Sequence, residues 1–211
     1  MVRILALADQ VDDGLYGEKL KDLHPDLVVG CGDLPFDYLE NIVSRVDVPL
    51  LFVPGNHDPD LLRPDATWMP LSFEPDGPGP SGCVNVDGRV VEAAGLVIAG
   101  LGGSPRYRPG PNQYSEGQMR RRAARLRLRL RIRRLAGGRP VDVFVTHTPP
   151  AGDDDDQDAV HRGFRSLARF DEVVAPRLHL HGHVLRFGPR KERRLGGTSV
   201  VNVIPYRLLQ L

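Results

Sequence analysis

Short apolar runs recur along the chain, and most of them stop at a polar or acidic side chain. Val2–Ala8, Asp26–Gly30, Leu50–Val53, Leu96–Gly100, Val141–Val145 and Arg177–His181 are rich in Val, Leu and Ile, with little strict alternation. Runs of this kind predict strands buried on both faces. Between them the pattern changes to helical spacing. Helices are predicted from about Leu15 to Leu23, where His24-Pro25 ends the segment, from Asp37 to Val46, over Met119–Leu135, and from Val160 to Val174. Asp37-x-x-Glu40 and Ser115-Glu116-Gly117-Gln118 both have capping-box form. Strand–helix alternation predicts an α/β protein with parallel neighbours, so successive strand ends should lie on one edge of a sheet. Cys83–Val86 and Arg89–Glu92, joined by Asp87-Gly88, predict a β-hairpin with a two-residue turn. Val184-Leu185 and Thr198–Val203 are expected in a second sheet, with Tyr206–Leu211 closing the chain. Residues 59–82 hold six prolines and suit neither helix nor strand. Such a connection is a functional lid or a flexible loop, or marks where a second sheet begins.

Met119–Leu135 contains nine arginines, and from Arg125 to Arg133 apolar and basic residues alternate as they would in a strand. A helix is the preferred reading. Met119, Ala123, Leu126 and Leu130 then fall on one face, and Ala124, Leu128, Ile132 and Leu135 on the opposite one. The first face packs on the sheet. The second is either a solvated surface rimmed by snorkelling arginines or a face for a second copy or another partner. Nucleic acid phosphates are a further, weaker candidate for the arginines.

The chain has 211 residues, enough for one well-buried core, and is read as a single domain over 1–211. Net charge is only +1 but unevenly spread: the first 60 residues carry twelve carboxylates against four Lys or Arg. An acidic first part suits a cation, and a basic later part suits anionic partners. Two cysteines, Cys31 and Cys83, cannot form a disulfide framework and read as cytosolic thiols. Val2–Ala8 is too short for a signal peptide, and no run reaches the ~20 apolar residues of a membrane span. A cytoplasmic protein without a membrane segment is expected.

The polar residues that stop the strands carry the chemistry. Asp9 opens Asp9-Gln10-Val11-Asp12-Asp13, Asp33 follows Gly32, and Gly55-Asn56-His57-Asp58 follows the third strand. His147 follows Thr146, and His181-Gly182-His183 ends the later run. Each alone reads equally well as a turn or a cap. Five strand ends with mixed oxygen and nitrogen donors point instead to one metal site at the carboxyl edge of a sheet. Carboxylates and imidazoles favour manganese, iron or zinc, and the Asn56 amide argues against an all-sulfur zinc site. Gly102-Gly103-Ser104-Pro105-Arg106-Tyr107 is a glycine-rich turn. It is read first as loop geometry and second as an aid to phosphate binding, with Arg106 the candidate for a substrate phosphate.

The set Asp9, Gly32-Asp33, Gly55-Asn56-His57-Asp58, Thr146-His147 and Gly182-His183 resembles the calcineurin-like metallophosphoesterase family over essentially the whole chain. The resemblance implies a four-layer α/β/β/α sandwich of two mixed sheets. It also implies a phosphoester hydrolase with divalent metals and a bridging hydroxide that attacks phosphorus in line. By position, Asp33 would bridge two metals, and Asn56, His147 and His183 would complete the second. His57 would contact the phosphate and protonate the leaving oxygen, and Asp58 would orient the His57 imidazole.

Two departures set this chain apart. The family pattern has Asp-x-His at the first strand end, where this chain has Asp9-Gln10-Val11. It has Gly-His-x-His at the last, where this chain has Gly182-His183-Val184-Leu185. Both missing histidines belong to the first metal. The expectation is therefore one or two ions, with the first position vacant or rebuilt from Asp12, Asp13, the Asp153–Asp158 loop, water or, preferred among these, His161. The expected substrate is a phosphorylated small molecule or a phosphodiester. The alternative is a non-catalytic member of the same fold that binds a partner through segment 119–135.

Overall fold

The computed structural model describes residues 1–61, 79–152, 162–185 and 192–211. The first three strands, β1 (Arg3–Leu7), β2 (Leu27–Gly30) and β3 (Leu50–Phe52), run parallel and side by side, and β4 (Cys83–Asn85) joins them in parallel. A single turn of 3-10 helix (Asp13–Tyr16), the short α1 (Lys19–Asp22) and α2 (Phe36–Arg45) form the connections. The second sheet holds β5 (Val90–Ala93), β6 (Leu96–Leu101), β9 (Val143–Thr146), β10 (Leu178–His181), β11 (Glu192–Leu195) and β12 (Thr198–Asn202), in the order β11-β12-β10-β9-β6-β5. Its four central strands are parallel and its two edges antiparallel. A minor pair, β7 (Ser104–Pro105) and β8 (Gln113–Tyr114), leads into α3 (Glu116–Leu135), and α4 (Arg165–Val174) precedes β10. The last strand, β13 (Tyr206–Gln210), returns to the first sheet and pairs antiparallel with β1.

The continuous apolar runs are explained by the layering. Alternate side chains of each strand point to opposite faces, and here both faces are covered. Ile4, Ala6, Val29 and Leu51 meet Ile98, Val143, Val145 and Leu180 between the two sheets. Leu5, Leu7, Val28 and Phe52 pack outward on Leu15, Tyr38, Leu39 and Ile42. Val97, Ala99 and Phe144 pack outward on Met119, Ala123, Leu126, Leu167 and Phe170. The result is the expected α/β/β/α sandwich of two mixed sheets.

The Ser115 capping box forms as its sequence predicts. Gln118 N donates to Ser115 Oγ at 3.2 Å and Ser115 N to Gln118 Oε1 at 2.8 Å. The carboxylate of Glu116 also accepts from Arg165 N and Ser166 N, so the start of α3 caps the start of α4. The second predicted capping box does not form. α2 begins after Pro35 without a side-chain cap, and Glu40 instead accepts from Ser81 N at 2.8 Å.

The predicted Asp87-Gly88 hairpin is also replaced. β4 and β5 belong to different sheets, and the chain crosses between them at these two residues. Asp87 Oδ1 accepts from Gly102 N at 2.7 Å, and its carboxylate pairs with Arg122 at 2.5 and 2.6 Å. The hairpin is one element later. Ala93 pairs with Leu96 across Ala94 (φ 48°) and Gly95 (φ 76°), the left-handed pair that a tight hairpin turn requires. Val184 lies in a bend and Leu185 in no regular structure, so neither is in a strand; Val160, where the fourth helix is predicted to begin, lies outside the described residues, and that helix is seen from Arg165. Among the described residues no helix is long and apolar enough to cross a membrane.

Candidate metal centre

The carboxyl ends of β1, β2 and β3 in one sheet meet those of β9 and β10 in the other. Three of the residues that follow these strands, Asp9 (φ 60°), Asp33 (φ 56°) and His183 (φ 65°), have left-handed backbone. This conformation costs a non-glycine residue about 1–2 kcal/mol, so the surroundings must hold it. Two glycines make the close approach possible. A Cβ at Gly55 would stand 2.1 Å from Asp33 Oδ1, and one at Gly182 would stand 2.2 Å from Asp9 Oδ2.

The centre of the arrangement is His147, which is fully buried. Its Nδ1 lies 2.8 Å from the carbonyl of Cys31, which can only accept. Nδ1 therefore carries a proton, and Nε2 faces the site. Around Nε2 stand Asn56 Oδ1 at 3.1 Å, His183 Nδ1 at 3.1 Å and Asp33 Oδ2 at 3.2 Å. The amide of Asn56 is turned by its other end, since Asn56 Nδ2 donates to Tyr107 Oη at 3.2 Å. Asp33, His147 and His183 each bring one ligand atom within 4.8 Å of the others, and no second such cluster of His, Cys, Asp or Glu occurs among the described residues.

Four lone-pair donors crowded together repel unless a cation or a proton lies between them. Ligands at right angles around an ion with bonds of about 2.1 Å stand about 3.0 Å apart. The observed spacing fits that geometry, and the mixture of carboxylate, amide and imidazole suits manganese, iron or zinc. Without an ion, a proton on His147 Nε2 takes the central position. Burial opposes that charge, but the Asp33 carboxylate, helped by Asp9 and the Cys31 carbonyl, outweighs it and holds the imidazole pKa at about 9. Burial likewise works against ionised Asp33, yet hydrogen bonding to His147 and to His57 N keeps its pKa below the usual value.

The family model for calcineurin-like phosphoesterases matches residues 4–187. The chain belongs to the calcineurin-like phosphoesterase family. No curated protein matches it. Among solved structures, this member of the family is similar to TT1561 of Thermus thermophilus. The TM-score is 0.64 at 20% identity, over 95% of this chain and 88% of that one. It is also similar to GAP50, the anchor in the inner membrane complex of Plasmodium. There the TM-score is 0.54 at 12% identity, over 95% of this chain and 70% of that one. At these identities the likeness is one of fold.

The remaining residues expected from the sequence are distributed around the candidate metal centre. Asp9 stands beside it, with Oδ2 accepting from His183 N at 2.9 Å, outside the three-ligand cluster. Burial raises its pKa to about 6, against the lowering by His147 and the His183 N–H. Val11 and Leu185, at the positions of the two histidines missing from the family pattern, are exposed. Asp12 is held by Lys19 at 3.0 Å and by Gly14 N. His161 and the Asp153–Asp158 loop lie outside the described residues.

His57 donates its backbone N–H to Asp33 Oδ1 at 2.8 Å and is exposed. The expected hydrogen bond from its ring to Asp58 does not occur among the described residues. Asp58 Oδ2 accepts instead from Gly55 N at 2.7 Å and Asp33 N at 3.0 Å, locking two ligand loops together. Its pKa is raised to about 6, chiefly by burial. Arg106, the candidate for a substrate phosphate, has no hydrogen bond to the candidate ligands among the described residues. Its guanidinium donates to Gln113 O and to Gln118 Oε1 of the α3 cap. The neighbouring Tyr107 is the residue of that turn that touches a candidate ligand.

A second buried network supports the His147 loop and escaped the sequence reading. Thr146 Oγ1 donates to Thr148 O at 2.7 Å, spanning His147, and so accepts from His179 Nε2 at 2.8 Å. His179 Nδ1 lies 2.7 Å from Asp171 Oδ2, and all three side chains are buried. Only the position of His179 within a core strand, where an apolar residue would be usual, hinted at it.

Proposed function

We propose that the chain is a metal-dependent phosphoester hydrolase that works with one tightly held divalent ion, manganese, iron or zinc. The observation that carries this is the convergence of Asp33 Oδ2, Asn56 Oδ1 and His183 Nδ1 on His147 Nε2 at 3.1–3.2 Å. The replacement of both first-metal histidines by Val11 and Leu185 supports one ion over two. When bound, such an ion polarises a phosphoryl oxygen and acidifies a water.

The rest falls to the protein. Cys31 O and Tyr107 Oη fix which atoms of His147 and Asn56 face the centre. Asp58 holds the Asp33 and Asn56 loops in register. In this reading the substrate is a phosphorylated small molecule or a phosphodiester. A water oxygen bonds to phosphorus and releases its proton to solvent while the opposite ester bond breaks, and the exposed His57 ring, in its protonated form, gives a proton to the leaving oxygen. The cytoplasm is the proposed compartment, supported by two buried free thiols, Cys31 and Cys83.

Equilibrium dialysis followed by metal analysis tests this, together with turnover of a chromogenic phosphodiester. One ion per chain and hydrolysis abolished by Asp33→Ala are expected. A folded protein that takes up no Mn²⁺, Fe²⁺ or Zn²⁺ refutes the proposal, and two ions per chain refute the mononuclear part.

A further inference from the structure

The outward face of α3 carries two parallel ladders. Leu128 (58% exposed), Ile132 (59%) and Leu135 (81%) form the apolar one, at spacings of four and three residues. Arg127, Arg131 and Arg134 repeat the same spacing one residue earlier, and none has an ion pair or hydrogen bond with a described residue. Arginines that turn back onto the protein are satisfied. Arg122 pairs with Asp87, Arg133 and Arg139 with Glu92, and Arg129 donates to Gly88 O.

Beside the ladders lies an open groove of about 760 Å³, between α3, the chain entering β9 and the end of α4. Ala124, Leu128, Leu130, Val141, Val173 and Val174 give it an apolar lining, and Arg127, Arg131 and Arg134 stand along it. It is remote from the metal centre: Val141 precedes β9, whereas His147 follows it, so the two lie at opposite ends of the sheet.

We propose that this groove docks an acidic amphipathic helix of a partner protein. Apolar side chains of that helix at i, i+4 and i+7 would meet Leu128, Leu130 and Val173, and carboxylates along its flank would meet the guanidinium groups of Arg127, Arg131 and Arg134. Charge complementarity selects this occupant. Two copies of α3 paired about a two-fold axis would set one arginine ladder against the other. Nucleic acid would leave the apolar ladder against phosphate or water, and a bilayer is flat where the groove is concave.

The test is fluorescence anisotropy on the full chain, with a labelled synthetic helix whose one face is leucine and whose flanks are glutamate. Saturable binding that weakens with added salt is expected, with a scrambled peptide of the same composition at least about tenfold weaker. L128S/V173S and, separately, R127Q/R131Q/R134Q should each weaken binding about tenfold. Both sets are on the surface and should retain the wild-type melting temperature and metal uptake. Equal binding of the scrambled peptide, or none, overturns the proposal. So does displacement of the peptide by an oligonucleotide or anionic vesicles at lower concentration, or a concentration-dependent dimer that L128S abolishes.

Discussion

Loading the metal centre should release a proton, and the number of protons can be worked from the geometry. In the metal-free protein His147 Nε2 is protonated, with its pKa raised to about 9 against the ordinary 6.5. A metal needs that lone pair, so it must displace the proton. At pH 7.5 roughly 97% of the imidazole is charged and Asp9, at about 6, is mostly ionised, so close to one proton should leave per ion. The competition costs about 3 kcal/mol of apparent binding free energy at pH 7. Affinity should rise about tenfold per pH unit between pH 7 and 9 and level off above 9, whereas an ordinary histidine would level off near 6.5. Calorimetric titration of Mn²⁺ into the metal-free chain, repeated in buffers of different ionisation enthalpy, counts the protons directly. Release of less than about 0.3 proton at pH 7.5, or an affinity flat from pH 7 to 9, refutes the argument.

Other predictions follow from individual contacts. Tyr107→Phe frees the Asn56 amide to rotate and should lower Mn²⁺ affinity about tenfold; because Tyr107 is 41% exposed, melting should barely change. Asp171→Ala leaves His179 buried without its acid and should destabilise the fold by about 3 kcal/mol in urea titrations; an unchanged midpoint contradicts this. Asp9 and Asp58 (about 6) and His147 (about 9) all bind protons more tightly folded than unfolded. Metal-free stability should therefore fall as pH rises, the carboxyl part between 3.8 and about 6 and the imidazole part between 6.5 and about 9. A higher urea midpoint at pH 9 than at pH 5 would falsify it. Gly55→Ala places a methyl group 2.1 Å from Asp33 Oδ1 and should abolish metal uptake in a protein that still folds.

What could be read from the chain was what short segments decide by themselves. Buried strands show as apolar runs, and polar residues at their ends stand out because the core does not tolerate them. The Ser115 capping box formed because both partners are three residues apart. Asp37-x-x-Glu40 and Asp87-Gly88 have equally good local chemistry, yet Glu40 is taken by Ser81 and Asp87 by Arg122 and Gly102. Those partners lie 15 to 41 residues away in sequence, and no local pattern announces them. The same holds at the metal centre. Candidate ligands were legible as strand ends, but Cys31 acts through its carbonyl and Tyr107 through a contact 51 residues from Asn56. Asp58 was assigned to its sequence neighbour His57, whereas its partners are the backbone N–H groups that hold two loops in place.

The return of β13 to β1 bears on how the chain is made. Arg3 pairs with Gln210 and Leu7 with Tyr206, so a strand made early in this sequence waits for a partner made about 200 residues later. At bacterial or eukaryotic elongation rates that is roughly 10–40 s during which one edge of β1 presents unpaired N–H and C=O groups. β2 can cover the other edge early, but the first sheet cannot be completed during that interval. A chaperone that shields Arg3–Leu7 should therefore matter more to the yield of this protein than to its stability once formed.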